Sequence, residues 1–168
     1  MEKNKESLNE LSGDEMAEQA EKLLEERGKE ALEMARNEVL QEQFESKEVQ
    51  EALGYFMTEY WHDVTRPALM SLVCEAVGGN SDKVTPVAVS MILISGAIDI
   101  HDDIIDESKT KGSRPTVLGK FGRDTALLIG DALLFKGFTL LSKAIEKGLS
   151  REKVSLIITI IKETFFKL

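Results

Sequence analysis

Signals that begin and end helices recur along this chain, and they constrain its fold more than any other feature. Ser12-Gly13-Asp14-Glu15 fits a capping box, and Pro67 and Pro86 suit first helical turns. Gly78-Gly79 and Gly148 follow apolar segments, where glycine commonly ends a helix. The sequence contains neither sustained polar–apolar alternation nor an Asn-Gly or Asp-Gly hairpin turn. It therefore predicts an all-α fold without strands.

The apolar spacing between these signals predicts six helices. They begin near Ser12, Ser46, Arg66, Thr85, Arg123 and Ser150. Gly28 is expected to interrupt the first of them. The fourth is the longest apolar helix and is expected to end at about Asp106, before a polar loop that passes into a further loop or short helix up to Gly122. The fifth is expected to continue to Lys147 and to end at Gly148.

The charge of the chain argues against several classes of protein. The net charge is −9, and residues 1–50 hold 7 basic and 15 acidic side chains, so the surface repels nucleic-acid phosphates. The start of the chain lacks the apolar core of a signal peptide. The longest uncharged stretch, Val84 to Ile98, is shorter than a membrane span. We therefore expect a cytoplasmic protein that binds no nucleic acid and does not span a membrane.

The last predicted helix is apolar on nearly all sides. Its apolar residues are Val154, Leu156, Ile157, Ile158, Ile160, Ile161, Phe165, Phe166 and Leu168. Helices of this kind lie in the middle of a bundle, where neighbours cover every face. The pattern predicts that a partner covers this helix or that the chain is part of a longer bundle.

The residues that suggest chemistry are concentrated in an acidic run from Asp99 to Glu107. At 3.6 residues per turn, Asp102 and Asp106 lie one above the other, with Asp103 beside them. Several like charges on one helix face cost stability unless a cation neutralises them. Oxygen ligands without cysteine suit Mg²⁺, which proteins bind through a few carboxylates plus substrate phosphates. The residues alone leave open the alternative of a solvated acidic helix end.

Four blocks, in order between residues 66 and 134, resemble the polyprenyl synthetase family of trans-isoprenyl diphosphate synthases. Arg66-Pro67-Ala68-Leu69 is similar to the end of that family's Gly-Gly-Lys-Arg-x-Arg-Pro segment. His101-Asp102-Asp103-Ile104-Ile105-Asp106 is similar to its first aspartate-rich motif, DDxxD. Arg114-Pro115-Thr116-Val117 resembles the segment that follows, and Gly130-Asp131-Ala132-Leu133-Leu134 its Gly-Asp-x-Leu helix. The resemblance implies the N-terminal half of an isoprenoid-synthase-type helical bundle.

The family resemblance also implies roles for particular residues. Asp102, Asp103 and Asp106 would bind Mg²⁺ and act as the catalytic residues. Arg66 and Lys111 would bind substrate, with Lys111 in place of the first arginine that follows the motif. The implied reaction is head-to-tail prenyl transfer between an allylic isoprenoid diphosphate and isopentenyl diphosphate. Ala97, five residues before Asp102, replaces a bulky aromatic in this comparison, which suggests a deeper tunnel and a longer product.

The chain departs from the family pattern where isopentenyl diphosphate would bind. Asp63 stands where a lysine is expected, Gly112 where the second arginine is expected, and Ser95 where a histidine or glutamine is expected. The family's second aspartate-rich motif has no counterpart in this sequence. We therefore assign residues 1–11 to a flexible acidic N-terminus and residues 12–168 to a partial isoprenoid-synthase domain that is incomplete as an enzyme by itself.

Two alternative functions stay open. The first is a metal-dependent HD phosphohydrolase, because His101-Asp102 forms its dipeptide and His62 lies upstream. The second is a non-catalytic prenyl-synthase-like subunit or helical interaction protein. In either the synthase or the subunit interpretation, we expect the chain to form a homodimer or to associate with a full-length synthase.

Overall fold

The computed structural model of the chain describes residues 12–167. The flexible acidic N-terminus predicted for residues 1–11 lies outside this range. The elements in chain order are α1 (Gly13–Leu40), α2 (Lys47–Tyr55), α3 (Thr65–Ala76), α4 (Thr85–Ile105), β1 (Thr110–Lys111), β2 (Arg114–Pro115), α5 (Val117–Phe121), α6 (Arg123–Leu140), α7 (Lys143–Glu146) and α8 (Arg151–Phe165). A π-helix, Phe56–Tyr60, extends α2, and a short 3₁₀-helix, Ser81–Lys83, precedes α4.

The predicted helix starts at three serines are confirmed. Ser12 and Glu15 form the capping box, in which the Ser12 N–H donates to Glu15 Oε2 at 2.8 Å. Ser46 and Ser150 accept hydrogen bonds from the backbone N–H groups of Val49 and Lys153. Each bond satisfies an N–H that has no partner inside the helix, so a contact between near neighbours is sufficient to place the helix start.

The predicted interruption at Gly28 is wrong, because α1 continues through it. Gly28 is buried, and a Cβ atom added there would lie 2.1 Å from the carbonyl oxygen of Val64. The glycine therefore lets α1 approach the backbone that precedes α3. This contact agrees with the extensive packing of α1 against α3.

The centre of the fold is the pair α4 and α6, which have the most extensive helix–helix contact. Two glycines on α6 allow this approach. A Cβ atom at Gly137 would lie 2.7 Å from Cγ1 of Ile94, and one at Gly130 would lie 2.6 Å from Nε2 of His101. Helix α1 and helix α3 cover other faces of α4, so most of α4 is buried.

A short hairpin follows α4, so the prediction of a fold without strands is wrong for four residues. The antiparallel strands β1 and β2 pair Lys111 with Arg114, and Gly112 begins the two-residue turn at φ 61°. Glycine adopts this left-handed conformation without strain. The hydroxyl of Tyr55 donates to the carbonyl oxygen of Pro115 at 2.6 Å, which holds the hairpin against α2.

The fifth predicted helix is divided into α6 and α7. At the break, the Ser142 hydroxyl donates to the carbonyl oxygen of Thr139 at 2.8 Å, a local bond that competes with the helical pattern. The turn brings Leu141 and Ala144 into a second, smaller core cluster with Val87 and Val154. Packing of these two side chains therefore accompanies the break.

Helix α8 is only slightly covered by the rest of residues 12–167. Val154 is its buried residue, whereas Leu156 is 59% exposed and Ile160 is 54% exposed. The predicted covering of this helix is thus not supplied by the described part of the chain. Its partly buried side chains, Ile157 and Ile161, pack beside the second core cluster.

One segment, Arg123–Glu146, is long and apolar enough to cross a membrane when judged by length and composition. It comprises α6 and α7, and 44% of its most apolar window is buried inside the protein. Core helices of soluble proteins pass the same test, and α6 packs along α4 in this way.

Candidate functional site

The acidic residues of the motif lie at the carboxyl end of α4 and differ in their exposure. Asp103 is 2% exposed, whereas Asp102 and Asp106 are exposed. Asp103 is drawn inward because Ile100 and Ile104, on the same side of the helix, pack into the main core. The motif therefore presents one buried carboxylate and two that face solvent.

Lys111 supplies the positive charge beside the buried carboxylate. Its Nζ lies 2.6 Å from Oδ1 of Asp99 and 3.0 Å from Oδ1 of Asp103. Burial raises the pKa of Asp103, against the opposing effect of Lys111. Burial acts to lower the pKa of Lys111, but its hydrogen bond to Asp99 and its ion pair with Asp103 outweigh this and raise the pKa. Lys111 is therefore a firmly charged ammonium group that two carboxylates hold.

The loop after α4 positions Lys111 through several short-range contacts. The Thr116 hydroxyl donates to the carbonyl oxygen of Ser108 at 2.7 Å, and the Thr116 N–H donates to that of Lys109 at 3.0 Å. A Cβ atom at Gly119 would lie 1.9 Å from the carbonyl oxygen of Lys109, so α5 packs directly on this loop. These contacts return the hairpin toward the last turns of α4.

A cleft of about 460 Å³ lies beside the acidic end of α4. It is lined by Tyr60, Trp61, His62, Asp63, Thr65, Arg66, Asp99, Lys111 and Arg114. The cleft brings together Arg66 and Lys111, the two residues predicted to bind substrate, although they are far apart in the sequence. The three motif aspartates do not line it.

Two aromatic residues in the cleft wall carry polar atoms without hydrogen-bond partners among residues 12–167. These atoms are the Tyr60 hydroxyl and the Trp61 indole N–H, and both are buried. The rings themselves stack on Phe56, with centroids 5.8 and 5.4 Å away. Burial, followed by the charge of Asp103, raises the pKa of Tyr60 to about 12. Unpaired buried donors are rare in folded proteins, so each of these two needs a specific explanation, such as a ligand or a water molecule that accepts its hydrogen bond.

Asp63, which replaces an expected lysine, has a structural role in the cleft. Its carboxylate accepts the backbone N–H of Arg66 at 3.2 Å and the Arg66 guanidinium at 3.0 Å. The first bond caps the start of α3. The aspartate at position 63 thus fixes the position of the Arg66 side chain. At the other two departures, Ser95 is half-buried, and Gly112 has open space where a side chain would project.

The carboxylates do not form a ready-made metal cage. Within residues 12–167, no three His, Cys, Asp or Glu side chains converge closely enough to hold a metal ion. The donor set nevertheless fits Mg²⁺, because that ion usually takes one or two carboxylates and completes its shell with water and substrate phosphates. Asp102 and Asp106 offer exposed carboxylates of this kind, whereas the buried Asp103 carboxylate already has the Lys111 ammonium group as its partner.

The two histidines do not support the phosphohydrolase alternative. Nε2 of His62 lies 3.1 Å from Glu25 Oε2, whereas Nε2 of His101 lies 3.2 Å from Asp131 Oδ1. The two imidazoles therefore contact different carboxylates on different helices. His101 faces α6, where the missing side chain of Gly130 leaves room for it.

An apolar groove of about 410 Å³ separates α4 from α8. Its lining is almost entirely hydrocarbon: Met70, Val84, Val87, Met91, Ile94, Ile98, Leu149, Ile157, Ile160, Ile161, Thr164 and Phe165. Ile98 lines this groove, while Ala97 is fully buried in the main core and does not. Its lining on α4 ends at Ile98, and the same face of the helix carries Asp102 one turn later.

The arrangement of an acidic helix end, a cationic cleft and an apolar groove can be compared with known proteins. Residues 47–168 match the polyprenyl synthetase family. The chain belongs to this family. Among curated relatives, the chain is 44% identical over 78 residues to geranylgeranyl diphosphate synthase of Methanosarcina mazei, covering 46% of the chain and 24% of the relative. It is 35% identical over 102 residues to the chloroplastic heterodimeric geranylgeranyl pyrophosphate synthase large subunit 1 of Arabidopsis thaliana. This match covers 60% of the chain and 27% of the relative.

Solved structures confirm the isoprenoid-synthase-type all-α fold. Geranylgeranyl pyrophosphate synthetase from Geoglobus acetivorans superposes with a TM-score of 0.73 at 26% identity, over 84% of this chain and 44% of that one. The corresponding enzyme from Pyrococcus horikoshii also has a TM-score of 0.73 at 26% identity, over 86% and 43%. The chain therefore spans less than half the length of these two relatives.

The sequence predicts Asp102, Asp103, Asp106, Arg66 and Lys111 as site residues, but it does not reveal two features of the cleft. Arg114 was noticed only as part of a family-like segment, yet its side chain lines the cleft. The ion pairs that hold Lys111 were also missed. The Gly112-Ser113 dipeptide, which suits a two-residue hairpin turn, is the signal that could have revealed both.

Proposed function

We propose that this polyprenyl synthetase chain binds an allylic isoprenoid diphosphate together with Mg²⁺, as part of a site for head-to-tail prenyl transfer to isopentenyl diphosphate. The observation that carries the proposal is the carboxylate row at the end of α4, where buried Asp103 lies 3.0 Å from Lys111 beside exposed Asp102. A solvated acidic helix end would have no reason to bury one of its carboxylates.

In this proposal, Asp102, Asp103 and Asp106 hold Mg²⁺. Bound Mg²⁺ would stabilise the negative charge that develops on the departing diphosphate. Lys111 donates hydrogen bonds to the same diphosphate, for which its raised pKa keeps it charged. Asp99, also bonded to Lys111, orients the ammonium group from the preceding helical turn.

The apolar groove is suited to the hydrocarbon part of the allylic substrate. Its lining is apolar from Val84 to Ile98 along α4, and Ile98 is followed four residues later by Asp102. A diphosphate held at Asp102 would thus direct its hydrocarbon tail along α4 and away from water. In this geometry the side chain at 98 faces the hydrocarbon more directly than Ala97, the residue that the sequence suggested as setting product length.

We also propose that the site is completed by polypeptide equivalent to the rest of the solved relatives, in the same chain or in another. The sequence contains no second aspartate-rich motif, and the exposed side of α8 is apolar. A complex with a full-length synthase would supply such polypeptide, whereas a second copy of this chain in a cytoplasmic homodimer could cover α8 without supplying the second motif. A relative described as the large subunit of a heterodimeric synthase supports this second candidate, a subunit role.

Calorimetry with geranyl diphosphate, with and without Mg²⁺, tests the proposal. We expect binding that requires Mg²⁺ and that Asp102→Ala/Asp103→Ala weakens at least about tenfold, the effect of losing charge-assisted contacts. Asp102→Ala alone should also weaken binding. Because Asp102 is exposed, this variant leaves the pair of Asp103 and Lys111 undisturbed. The matched control, Glu18→Ala/Glu21→Ala, removes two exposed carboxylates from α1 and should bind like the wild type. Absence of Mg²⁺-dependent binding to the wild type contradicts the proposal.

A turnover assay separates the two candidates. The subunit role predicts no product from the chain with geranyl diphosphate and isopentenyl diphosphate, and a change in rate or product length when a full-length synthase is added. Turnover by the chain alone would instead establish a complete enzyme.

A further inference from the structure

The cleft beside α4 contains three permanently charged side chains, and two of them are already occupied. Arg66 is held by Asp63, whose side chain is 5% exposed, and Lys111 is held by Asp99 and Asp103. Within residues 12–167, Arg114 is the one cation of the cleft that has no carboxylate partner. Its Nη1 donates to the carbonyl oxygen of Glu59 at 3.2 Å.

The hairpin places Arg114 where it can act with Lys111. The two residues are directly paired across β1 and β2, and side chains of directly paired residues project from the same face of a hairpin. Both line the cleft, and Arg114 is exposed. A ligand in the cleft can therefore reach the guanidinium without any movement of the backbone.

The three cationic side chains differ in the free-energy cost of leaving their present partners to bind an anionic ligand. Moving Arg66 to a ligand would leave the buried Asp63 carboxylate without its partner, which is unfavourable. Moving Lys111 away from the end of α4 would do the same to Asp103, so Lys111 can serve only a diphosphate that lies at the end of that helix. Arg114 gives up only a hydrogen bond to one backbone carbonyl, and a solvent molecule can replace it. Arg114 is also the charge that makes the lining positive, with three cations against Asp63 and Asp99.

We propose that Arg114 binds the diphosphate of isopentenyl diphosphate in this cleft and takes the place of the arginine that position 112 lacks. The inference rests on the proposed function and adds to it a residue for the second substrate. The guanidinium offers a planar pair of donors that matches two phosphate oxygens. Gly112 lies two residues earlier, at the turn, and contributes no side chain to the cleft, whereas Arg114 on β2 lines it.

Binding of isopentenyl diphosphate to the full chain, measured by calorimetry without Mg²⁺, tests this assignment. The cleft binds through side-chain cations, so metal is not required. We expect Arg114→Gln to weaken binding about tenfold, as expected for loss of a charge-assisted contact to phosphate. The affinity of Arg114→Lys should lie between those of the wild type and Arg114→Gln, because lysine keeps the charge and loses the planar pair of donors.

The control is Arg151→Gln, which removes the same charge from an exposed position at the start of α8, outside the cleft. It should change the affinity by less than about twofold, the effect of a distant, screened charge. Equal affinities of wild type and Arg114→Gln, equal losses in Arg114→Gln and Arg151→Gln, or a wild type that does not bind isopentenyl diphosphate would each overturn the assignment.

Failure of this assignment is distinguishable from failure of the proposed function. Mg²⁺-dependent binding of geranyl diphosphate, measured on the same proteins, should be retained by Arg114→Gln. If Arg114→Gln loses both ligands equally, its effect is not specific to the second substrate and the assignment is wrong. If geranyl diphosphate fails to bind even the wild type while Arg114 still governs isopentenyl diphosphate, the proposed allylic site is wrong and the Arg114 site stands.

Discussion

Helices α4 and α8 both carry runs of large apolar residues, but they differ in their surroundings. Thirteen of the 21 residues of α4 are buried, whereas Val154 is the buried residue of α8. Helices α1, α3 and α6 pack around α4. Apolar composition therefore shows that a helix needs cover, and it does not show where the cover comes from.

This difference bears on function. The buried helix is a rigid support for Asp102 and Asp103, because its neighbours hold it on several sides. The exposed helix forms the other wall of the apolar groove, and that wall has few contacts to hold it in place. The proposed substrate site thus has one firm wall and one that further polypeptide is needed to secure.

The largest expected effect comes from truncating the same residue type on the two helices. Leu93→Ala, in the core of α4, should lower the free energy of unfolding by about 2–5 kcal/mol. Leu156→Ala, on α8, should change it by less than about 0.5 kcal/mol, because the side chain is exposed. Urea unfolding followed by circular dichroism measures both. Similar losses would show that the two helices are equally covered in solution.

A pair of glycine substitutions sharpens the comparison at the α4–α6 contact. Gly137→Ala should destabilise the protein by about 1–3 kcal/mol, since its Cβ would lie 2.7 Å from Ile94 and 3.0 Å from the carbonyl oxygen of Ser90. Gly54→Ala, in α2, meets nothing within 4 Å and should stabilise it by about 0.4–1 kcal/mol. Thermal unfolding shows whether each variant is more or less stable than the wild type. A neutral Gly137→Ala would mean that the two helices can separate freely.

The next effect concerns the charges at the carboxyl end of α4. Lys111→Gln should cost about 1–2 kcal/mol, because it leaves the buried Asp103 carboxylate without its cation. Lys136 likewise lies between two carboxylates, Glu38 and Glu42, but these are more exposed. Lys136→Gln should therefore cost no more than about 0.5 kcal/mol.

Mg²⁺ makes this pair of lysine variants diagnostic. Added Mg²⁺ should restore part of the stability lost in Lys111→Gln, by neutralising Asp103 in place of the ammonium group, and should leave Lys136→Gln unchanged. Denaturant midpoints with and without Mg²⁺ measure the difference. Equal responses of the two variants would mean that Mg²⁺ does not bind at the end of α4.

The smallest expected effect is on α8 itself. Leu156→Glu/Ile160→Glu should leave the free energy of unfolding within about 0.5 kcal/mol of the wild type, because both side chains are exposed. The same variant should reduce self-association in sedimentation experiments if a second copy covers α8. A loss above about 2 kcal/mol, typical of charges placed in a core, would show that the chain itself covers this helix.

Features that depend on neighbouring residues could be predicted from the sequence. Ser12, Ser46 and Ser150 cap helices because each bonds a backbone N–H three residues away. The stacking of Asp102 and Asp106 follows from helical spacing in the same way. The prediction that Gly28 interrupts the first helix was wrong for a related reason. Gly28 packs against the backbone of Val64, 36 positions later, and no local pattern reveals that contact.

The site depended on contacts that sequence spacing does not encode. The two-residue strands are too short to show alternation, and a bond from Tyr55 to Pro115, 60 residues apart, holds them. That hairpin directs Lys111 toward Asp99 and Asp103 and brings Arg114 into the cleft. The expected role of Lys111 in binding substrate rested on its position after the motif. That position does not reveal that Lys111 pairs with Asp99 and Asp103 when no ligand is bound.

By itself, the sequence determined the helical class, the starts of the main helices and the acidic helix end that carries Asp102, Asp103 and Asp106. These follow from hydrogen bonds and side-chain spacing within a few turns of helix. Only the tertiary structure decided which carboxylate is buried, which cation of the cleft is uncommitted, and that α4 is covered while α8 is not. Those outcomes depend on which distant surfaces meet, and desolvation and ion pairing act only after they have met.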